Sequence, residues 1–389
     1  MKKISVLMAT AFVDMMGFAI VMPLLPLYAR RFDAPYWVIG VVIAVFAVMQ
    51  LISAPLWGRF SDRFGRRPAI LLGLCVSAVA FTMFAYADSI LGLLATRLVQ
   101  GIGAGTTGVL QAYVADSSAP KDRAKAIGWL TAGTSAGVMI GPVIGSFAFA
   151  FGTEYPGLIA AGLCLANIMF AWRLLPESLP EARERPRRQP IRQAIWLVIT
   201  EPKRDVSRLV WIYAVGMLGF MSMTSVMALY LESAFGITGT TIGPFFAWVG
   251  FISLLMRAIV LGRAVDRFGE TNVMRTGAVS LGLGLLLIPI PTFIWGFVAV
   301  ITLVPIGTAL LFPCNTAMVS HRAPEHEVGQ TLGVQQSFGG MARVIAPLWA
   351  TAALEINLAL PFFFSALVVA FVTMLAFSVK QEVALSEAA

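Results

Sequence analysis

Asp14 and Arg97 stand out in this 389-residue chain, because each is a charged residue inside a long apolar run. Counting inward from Ile4 at ~1.5 Å per helical residue puts Asp14 ~15 Å deep. Arg97 lies ~18 Å above the same edge if its helix descends through a ~30 Å hydrocarbon layer. An unpaired ionised group at that depth costs at least ~2.5 to 3.5 kcal/mol. The chemistry to expect is therefore an ion pair between the two, or reversible protonation of Asp14. Of the 20 acidic residues, Asp14 is the only one deep in an apolar run. Arg343 is a second deep cation, one heptad after Gln336 and on the same helical face. It can meet an anionic or zwitterionic small molecule, or only a backbone carbonyl. Arg257 lies near the end of its run, where a long side chain can snorkel, and it is given no specific role. Gln50, Gln111, Asn315, Gln335 and Gln336 are uncharged amides within apolar runs and are expected to face a cavity rather than lipid. With 27 Phe, 9 Trp and 18 Met around them, the wall would be adaptable and apolar. Such a site suits bulky amphipathic molecules better than sugars, whose many hydroxyls each need a partner.

The elements that must position these groups follow from composition. Charged residues make up only 12% of the chain and hydrophobic ones 58%, against about 25% charge in a soluble protein; the mean hydropathy is +0.83. Twelve apolar runs of about 20 residues, the length that crosses a bilayer, can be marked off, the first from Ile4 to Leu27 and the last from Leu358 to Val379. The first continues too far for a cleaved signal peptide, despite Lys2 and Lys3 ahead of it. The expected fold is an all-α polytopic membrane protein with twelve transmembrane helices.

Charge also sets an expected topology. Of the 28 Lys and Arg, Arg30 and Arg31 fall outside, Arg97, Arg257 and Arg343 fall within spans, and the other 23 fall at cytoplasmic ends once the N-terminus is placed inside. This asymmetry predicts an inner (plasma) membrane protein with both termini cytoplasmic, and accounts for the net charge of +8 without nucleic acid. The stretch from Pro176 to Ser207 divides the chain into an N-terminal six-helix bundle (1–174), a cytoplasmic linker (175–208) and a C-terminal six-helix bundle (209–389). Its Glu184-Arg185-Pro186-Arg187-Arg188 run suits anionic lipid, and Ile191 to Ile199 suits a short interfacial helix.

The two bundles carry a repeated loop. Gly58-Arg59-Phe60-Ser61-Asp62-Arg63-Phe64-Gly65 and Gly262-Arg263-Ala264-Val265-Asp266-Arg267-Phe268-Gly269 match at six of eight positions, 204 residues apart. Parallel repeats of this kind build carriers with a site between pseudo-symmetric halves near the midplane. Asp62, Arg63, Arg66, Arg67, Asp266 and Arg267 are too charged to enter lipid. They either tie neighbouring helix ends together as a conformational latch or serve only as topogenic charge. On the fifth span Gly133, Gly137, Gly141 and Gly145 recur every four residues and allow a close helix crossing, with Pro142 bending that face.

Other chemistries lack their residues. Cys75, Cys164 and Cys314 sit in apolar runs and read as buried small hydrophobes. His321 and His326 fall in one short polar stretch and make no metal set. Gly103-Ala104-Gly105-Thr106-Thr107-Gly108 fits a dinucleotide fingerprint but has no strand before it, and the chain carries no P-loop to drive transport with ATP.

The sequence resembles the major facilitator superfamily, and within it the twelve-helix drug/proton antiporters. Gly58, Asp62, Arg63, Gly65, Arg66 and Arg67 resemble the superfamily's loop motif. Leu93, Arg97, Gln100, Gly101 and Gly103 resemble the fourth-helix pattern associated with proton coupling. Gly137, Gly141, Pro142 and Gly145 resemble the antiporter signature, with Ser146 where a second Gly is usual. Asp14, Gly17, Phe18, Pro23 and Pro26 resemble the first helix of drug exporters. The resemblance implies a monomeric secondary transporter, not an enzyme, that needs no cofactor. It would export hydrophobic or amphipathic drugs, tetracycline-like or multidrug, in exchange for protons taken up by Asp14, with Arg97 shifting that residue's proton affinity. Export of a native metabolite or sugar is the competing reading.

Overall fold

The computed structural model describes residues 2–118, 123–178, 191–324 and 327–379. The 184–188 run and His326 lie outside these residues. Within them the chain is helical: α1 (Lys2–Val21), α2 (Leu25–Arg31), α3 (Tyr36–Phe64), α4 (Arg66–Ala85), α5 (Ile90–Ala104), α6 (Thr107–Ser117), α7 (Arg123–Phe149), α8 (Tyr155–Leu174), α9 (Ile191–Thr200), α10 (Asp205–Phe235), α11 (Gly243–Leu255), a π-helical turn (Met256–Val260), α12 (Leu261–Leu287), α13 (Ile294–Ile301), α14 (Leu303–Arg322), α15 (Val328–Ile356) and α16 (Leu360–Ser378). Among the described residues nine helical stretches are long and apolar enough to cross a membrane. One of these, Gly243–Leu287, is 45 residues long and bends at Gly269, so it holds two crossings. The broken pair α5–α6 and the amide-bearing α15 bring the segments to twelve, the number the apolar runs predict. Exposed Phe147, Met169, Trp172, Leu367 and Met374 are the surface expected of helices that face lipid.

Local sequence explains the breaks. Pro26 stands in the first turn of α2, where its missing N–H costs nothing. Ser89 caps α5 by accepting the Gly92 N–H at 3.2 Å. Gly65 (φ 108°) and Gly269 (φ 76°) occupy the same place in the repeated loop, and both turn the chain through a region that favours glycine.

The α5–α6 break frees the last carbonyls of α5, which must be satisfied where water is scarce. Ser53 Oγ donates to Gly101 O at 3.1 Å and Trp57 Nε1 to Ile102 O at 2.6 Å. Thr106 Oγ1 donates to Gly103 O at 3.0 Å, and Thr107 Oγ1 (3.0 Å) and Gln50 Nε2 (3.4 Å) both donate to Ala104 O. The glycines of the apparent dinucleotide fingerprint serve packing here. A Cβ on Gly105 would strike Ser53 and Trp57 of α3, and one on Gly103 would press on Gly73 and Ser77 of α4.

The described chain packs as two compact units. The first comprises Met1–Arg185, Ser225–Phe251 and Pro347–Glu355; the second comprises Pro186–Thr224, Ile252–Ala346 and Ile356–Ala389. The first has a core of Leu7, Ala11, Ile70, Leu74, Tyr113, Val114 and Leu130. In the second, Val198 of α9 packs with Val210, Ala214, Val334 and Phe338, while Trp196 and Ile199 point outward. Cys164 and Cys314 are buried as expected, but Cys75 is exposed, because it lies on a face of α4 that no described helix covers.

Candidate functional site

Asp14 sits on α1 between backbone groups gripped by α7. A Cβ on Gly137 would stand 2.9 Å from Met16 N and closer still to Phe12 O. Gly141 meets Met16 O in the same way at 2.7 Å, and Gly145 abuts Ile20 O. The fifth-span glycines therefore serve the helix that carries the acid. On another side Gly17 lies against Phe81 and Cys164, and Asn167 of α8 donates to Thr10 O at 2.9 Å. The Asp14 side chain is half-buried and makes no hydrogen bond or ion pair with any described residue.

Arg97 is 1% exposed. Its Nη1 donates to Gln100 Oε1, its Nη2 to Met22 Sδ at 3.9 Å, and its guanidinium carbon lies 4.6 Å from the Phe46 ring centroid. Arg97 Nε and Gln100 Nε2 are buried without a partner. The ion pair that similar depths suggest does not form; a ring holds the cation instead. Phe18, one turn after Asp14, lies 5.3 Å from Phe46, so an aromatic pair joins the turn that carries the acid to the ring that holds the cation.

At the far end of α3 the loop residues form a tight network. Arg66, 4% exposed, binds Asp62 Oδ1 at 2.7 Å, Asp116 Oδ2 at 3.0 Å and Ser61 Oγ at 2.6 Å. Glu177 accepts the Arg66 and Arg67 backbone N–H groups at 2.9 and 3.1 Å and so caps α4, where a carboxylate is favoured by the helix dipole. Arg67 Nη2 donates to Trp172 O, and Arg63 stacks on Phe64 at 5.2 Å. A Cβ on Gly58 would meet nothing. Sequence reasoning missed Asp116 and Glu177; each is an isolated acid just past a span, and only proximity in the fold identifies it. The second loop does not copy this network. Glu270 stands where Arg66 does, contacting His321 at 3.4 Å, Arg267 lies over Phe268 at 5.5 Å, and Asp266 is exposed.

The amides divide into two groups. Asn315 and Gln335 are fully buried, against the expectation that they face a cavity. Gln335 Nε2 donates to Asn315 Oδ1 at 2.8 Å, and Asn315 Nδ2 to Leu209 O at 3.1 Å, which fastens α10, α14 and α15 together. Gln50 serves the α5 break as described. Gln336 and Gln111 are exposed, and Gln336 Oε1 lies 3.5 Å from the Tyr213 hydroxyl. Arg343 is half-buried and has no partner among the described residues.

Two further crossings inside the first unit repeat each other. A Cβ on Gly40 would lie 2.5 Å from Pro347 O and closer to Thr351 Oγ1; one on Gly243 would lie 2.5 Å from Pro142 O and 2.7 Å from Ser146 Oγ. Gly40 and Gly243, Pro142 and Pro347, and Ser146 and Thr351 are each separated by 203 to 205 residues. The serine that departs from the usual antiporter signature thus matches a threonine at the repeated crossing. Beside Gly243 an open groove of ≈ 410 Å³ is lined by Met139, Ile140, Val143, Pro244, Ala247, Trp248 and Phe251; with no titratable side chain it offers no coupling chemistry.

Twelve apolar segments, a duplicated charged loop and a lone intramembrane acid define a membrane carrier. The chain belongs to the Major Facilitator Superfamily, whose sequence profile matches residues 7–347 and again 209–387. It is therefore a membrane transporter and not an enzyme. It is 30% identical over 350 residues to the class C tetracycline resistance protein of Escherichia coli, covering 89% of this chain and 88% of that one. It is 25% identical over 371 residues to multidrug resistance protein 2 of Bacillus subtilis (strain 168), covering 93% and 91%. The crystal structure of the human organic anion transporter MFSD10 (TETRAN) superposes with a TM-score of 0.73 at 22% identity, over 96% of this chain and 99% of that one.

Proposed function

We propose that this transporter exports hydrophobic and amphipathic compounds, tetracycline-like or multidrug, in exchange for protons. The observation that carries the reading is Asp14, a half-buried acid with no partner among the described residues, on a helix gripped by the Gly137 face of α7. A carboxyl group so placed loses little on protonation and is the natural carrier of the coupling ion; Arg97 biases its proton affinity through the space it shares with Phe18 and Phe46. The relatives named above support the cargo class. Exchange runs by alternating access of the bundles 1–174 and 209–389 around a central site, with 175–208 as the cytoplasmic linker. Gln111, Gln336 and Arg343 offer polar contacts to cargo, while Gln50, Asn315 and Gln335 hold helices in place. The Arg66 network, with Asp62 and Asp116, is the latch of one state.

The protein acts as a monomer in the inner membrane, with both termini cytoplasmic and no cofactor but the proton. Expression in an efflux-deficient bacterium, scored against tetracyclines, phenicols and lipophilic cations, tests the reading. Protection that collapses with a protonophore is expected. No protection, with proton-coupled sugar movement in vesicles, would overturn it.

A further inference from the structure

We infer that Arg257 in the second unit holds the acidic group of an amphipathic organic anion or zwitterion. The inference deepens the export reading and rests on it for the claim that the bound anion is cargo. Sequence position puts Arg257 near a span end, free to snorkel. In the structure the helix runs on for eleven residues past it to Phe268 before the turn at Gly269. Helical side chains lean toward the helix N-terminus, so Arg257 leans back toward Gly243 and away from the charged end at Arg263. Its Nε is enclosed, and no described residue bonds it.

Three features make a site of this lone cation. Arg257 lies in a π-helical turn, Met256–Val260, a local widening that frequently marks functional positions. That turn packs against α14, whose Phe312 meets Tyr213, and the Tyr213 hydroxyl approaches the exposed amide of Gln336. Phe312 meets Tyr213 edge-on at 5.4 Å and lies tilted against Phe220 at 6.3 Å, giving an aromatic wall beside the polar groups. Arg343, also without a partner, follows Gln336 on the same face of α15. Of the described acids of this unit, Glu201, Asp205 and Glu327 stand at helix ends or in loops and Asp266 and Glu270 flank the turn at Gly269; none bonds either arginine. A cation, a phenol and an amide beside aromatic rings match a sulfonate, carboxylate or enolate on an aromatic body.

The test uses a matched pair of fluorescent probes, 8-anilinonaphthalene-1-sulfonate and its uncharged parent N-phenyl-1-naphthylamine. Binding to the purified full-length protein in detergent is measured by equilibrium dialysis and corrected with protein-free micelles. Arg257→Gln is expected to weaken the sulfonate about tenfold and leave the parent within twofold. Equal losses for both probes, no loss for either, or a wild-type protein that binds the parent but not the sulfonate would each overturn the inference. Should Arg257→Gln not fold, Arg257→Lys decides. It keeps the charge but loses the planar fork, so severalfold weaker sulfonate binding with an unchanged parent supports the site, and unchanged binding of both overturns it. Selective sulfonate binding without proton-driven movement in vesicles would leave the anion site standing and sink the export reading instead.

Discussion

Gly137 and Met16 approach so closely that a Cβ on the glycine would lie 2.9 Å from the methionine backbone nitrogen. The contact fixes the turn of α1 that bears Asp14. Gly137→Ala must push α1 away, and overpacking of this kind costs about 1 to 3 kcal/mol. We expect a lower melting temperature in detergent and loss of most transport. Gly133→Ala, whose Cβ would stand 3.1 Å from Met8 O, should lose far less. Equal effects of the two would separate the glycine face from Asp14.

The duplicated glycine-on-proline crossings make a second prediction. Gly40→Ala and Gly243→Ala each place a methyl carbon 2.5 Å from a proline carbonyl oxygen. Each should reduce transport while leaving the protein in the membrane. Transport rates and membrane yields of the two variants check this; wild-type rates would show that the crossings open at no cost.

In the loop network the partners of Arg66 differ in burial. The Asp116 side chain is 6% exposed and that of Asp62 42%. Removing one partner of a buried pair costs about 3 to 5 kcal/mol, whereas an exposed pair contributes about 0 to 1. Thermal unfolding should therefore fall much further for Asp116→Asn than for Asp62→Asn. The reverse order would contradict the geometry.

Asn315 and Gln336 should part ways in function. Asn315→Ala leaves the buried Gln335 amide without its acceptor, a loss of about 1 to 3 kcal/mol, and should lower stability without changing the order in which cargo molecules are preferred. Gln336→Ala should leave stability near wild type and change that order. Resistance profiles set beside melting curves distinguish the two.

Much of the fold was legible in the sequence. Apolar length gave the twelve segments, and the 204-residue repeat located the two loops together with the glycines that turn them. The lone deep acid was equally plain. What escaped depends on packing between segments distant in the chain. Asp116 and Glu177 are ordinary span-end acids until the fold brings them to Arg66. Asn315 and Gln335 have the composition of cavity amides, yet Gln335 Nε2 bonds Asn315 Oδ1 and Asn315 Nδ2 bonds the Leu209 carbonyl, so they can be buried. Arg257 carries no pattern of its own, and only the fold shows its enclosed Nε and the π-helical turn that bears it. An Asp14–Arg97 pair was one of two outcomes expected from depth, the other being protonation of Asp14, and depth does not show which faces the helices turn to each other.

Proton coupling through Asp14 is tested most directly in proteoliposomes that hold the purified Asp14→Asn variant under an imposed pH gradient, with cargo accumulation and internal pH followed together. The account predicts that uphill accumulation and cargo-linked proton movement both vanish, while downhill movement of the same cargo persists. Undiminished uphill accumulation by Asp14→Asn would contradict it.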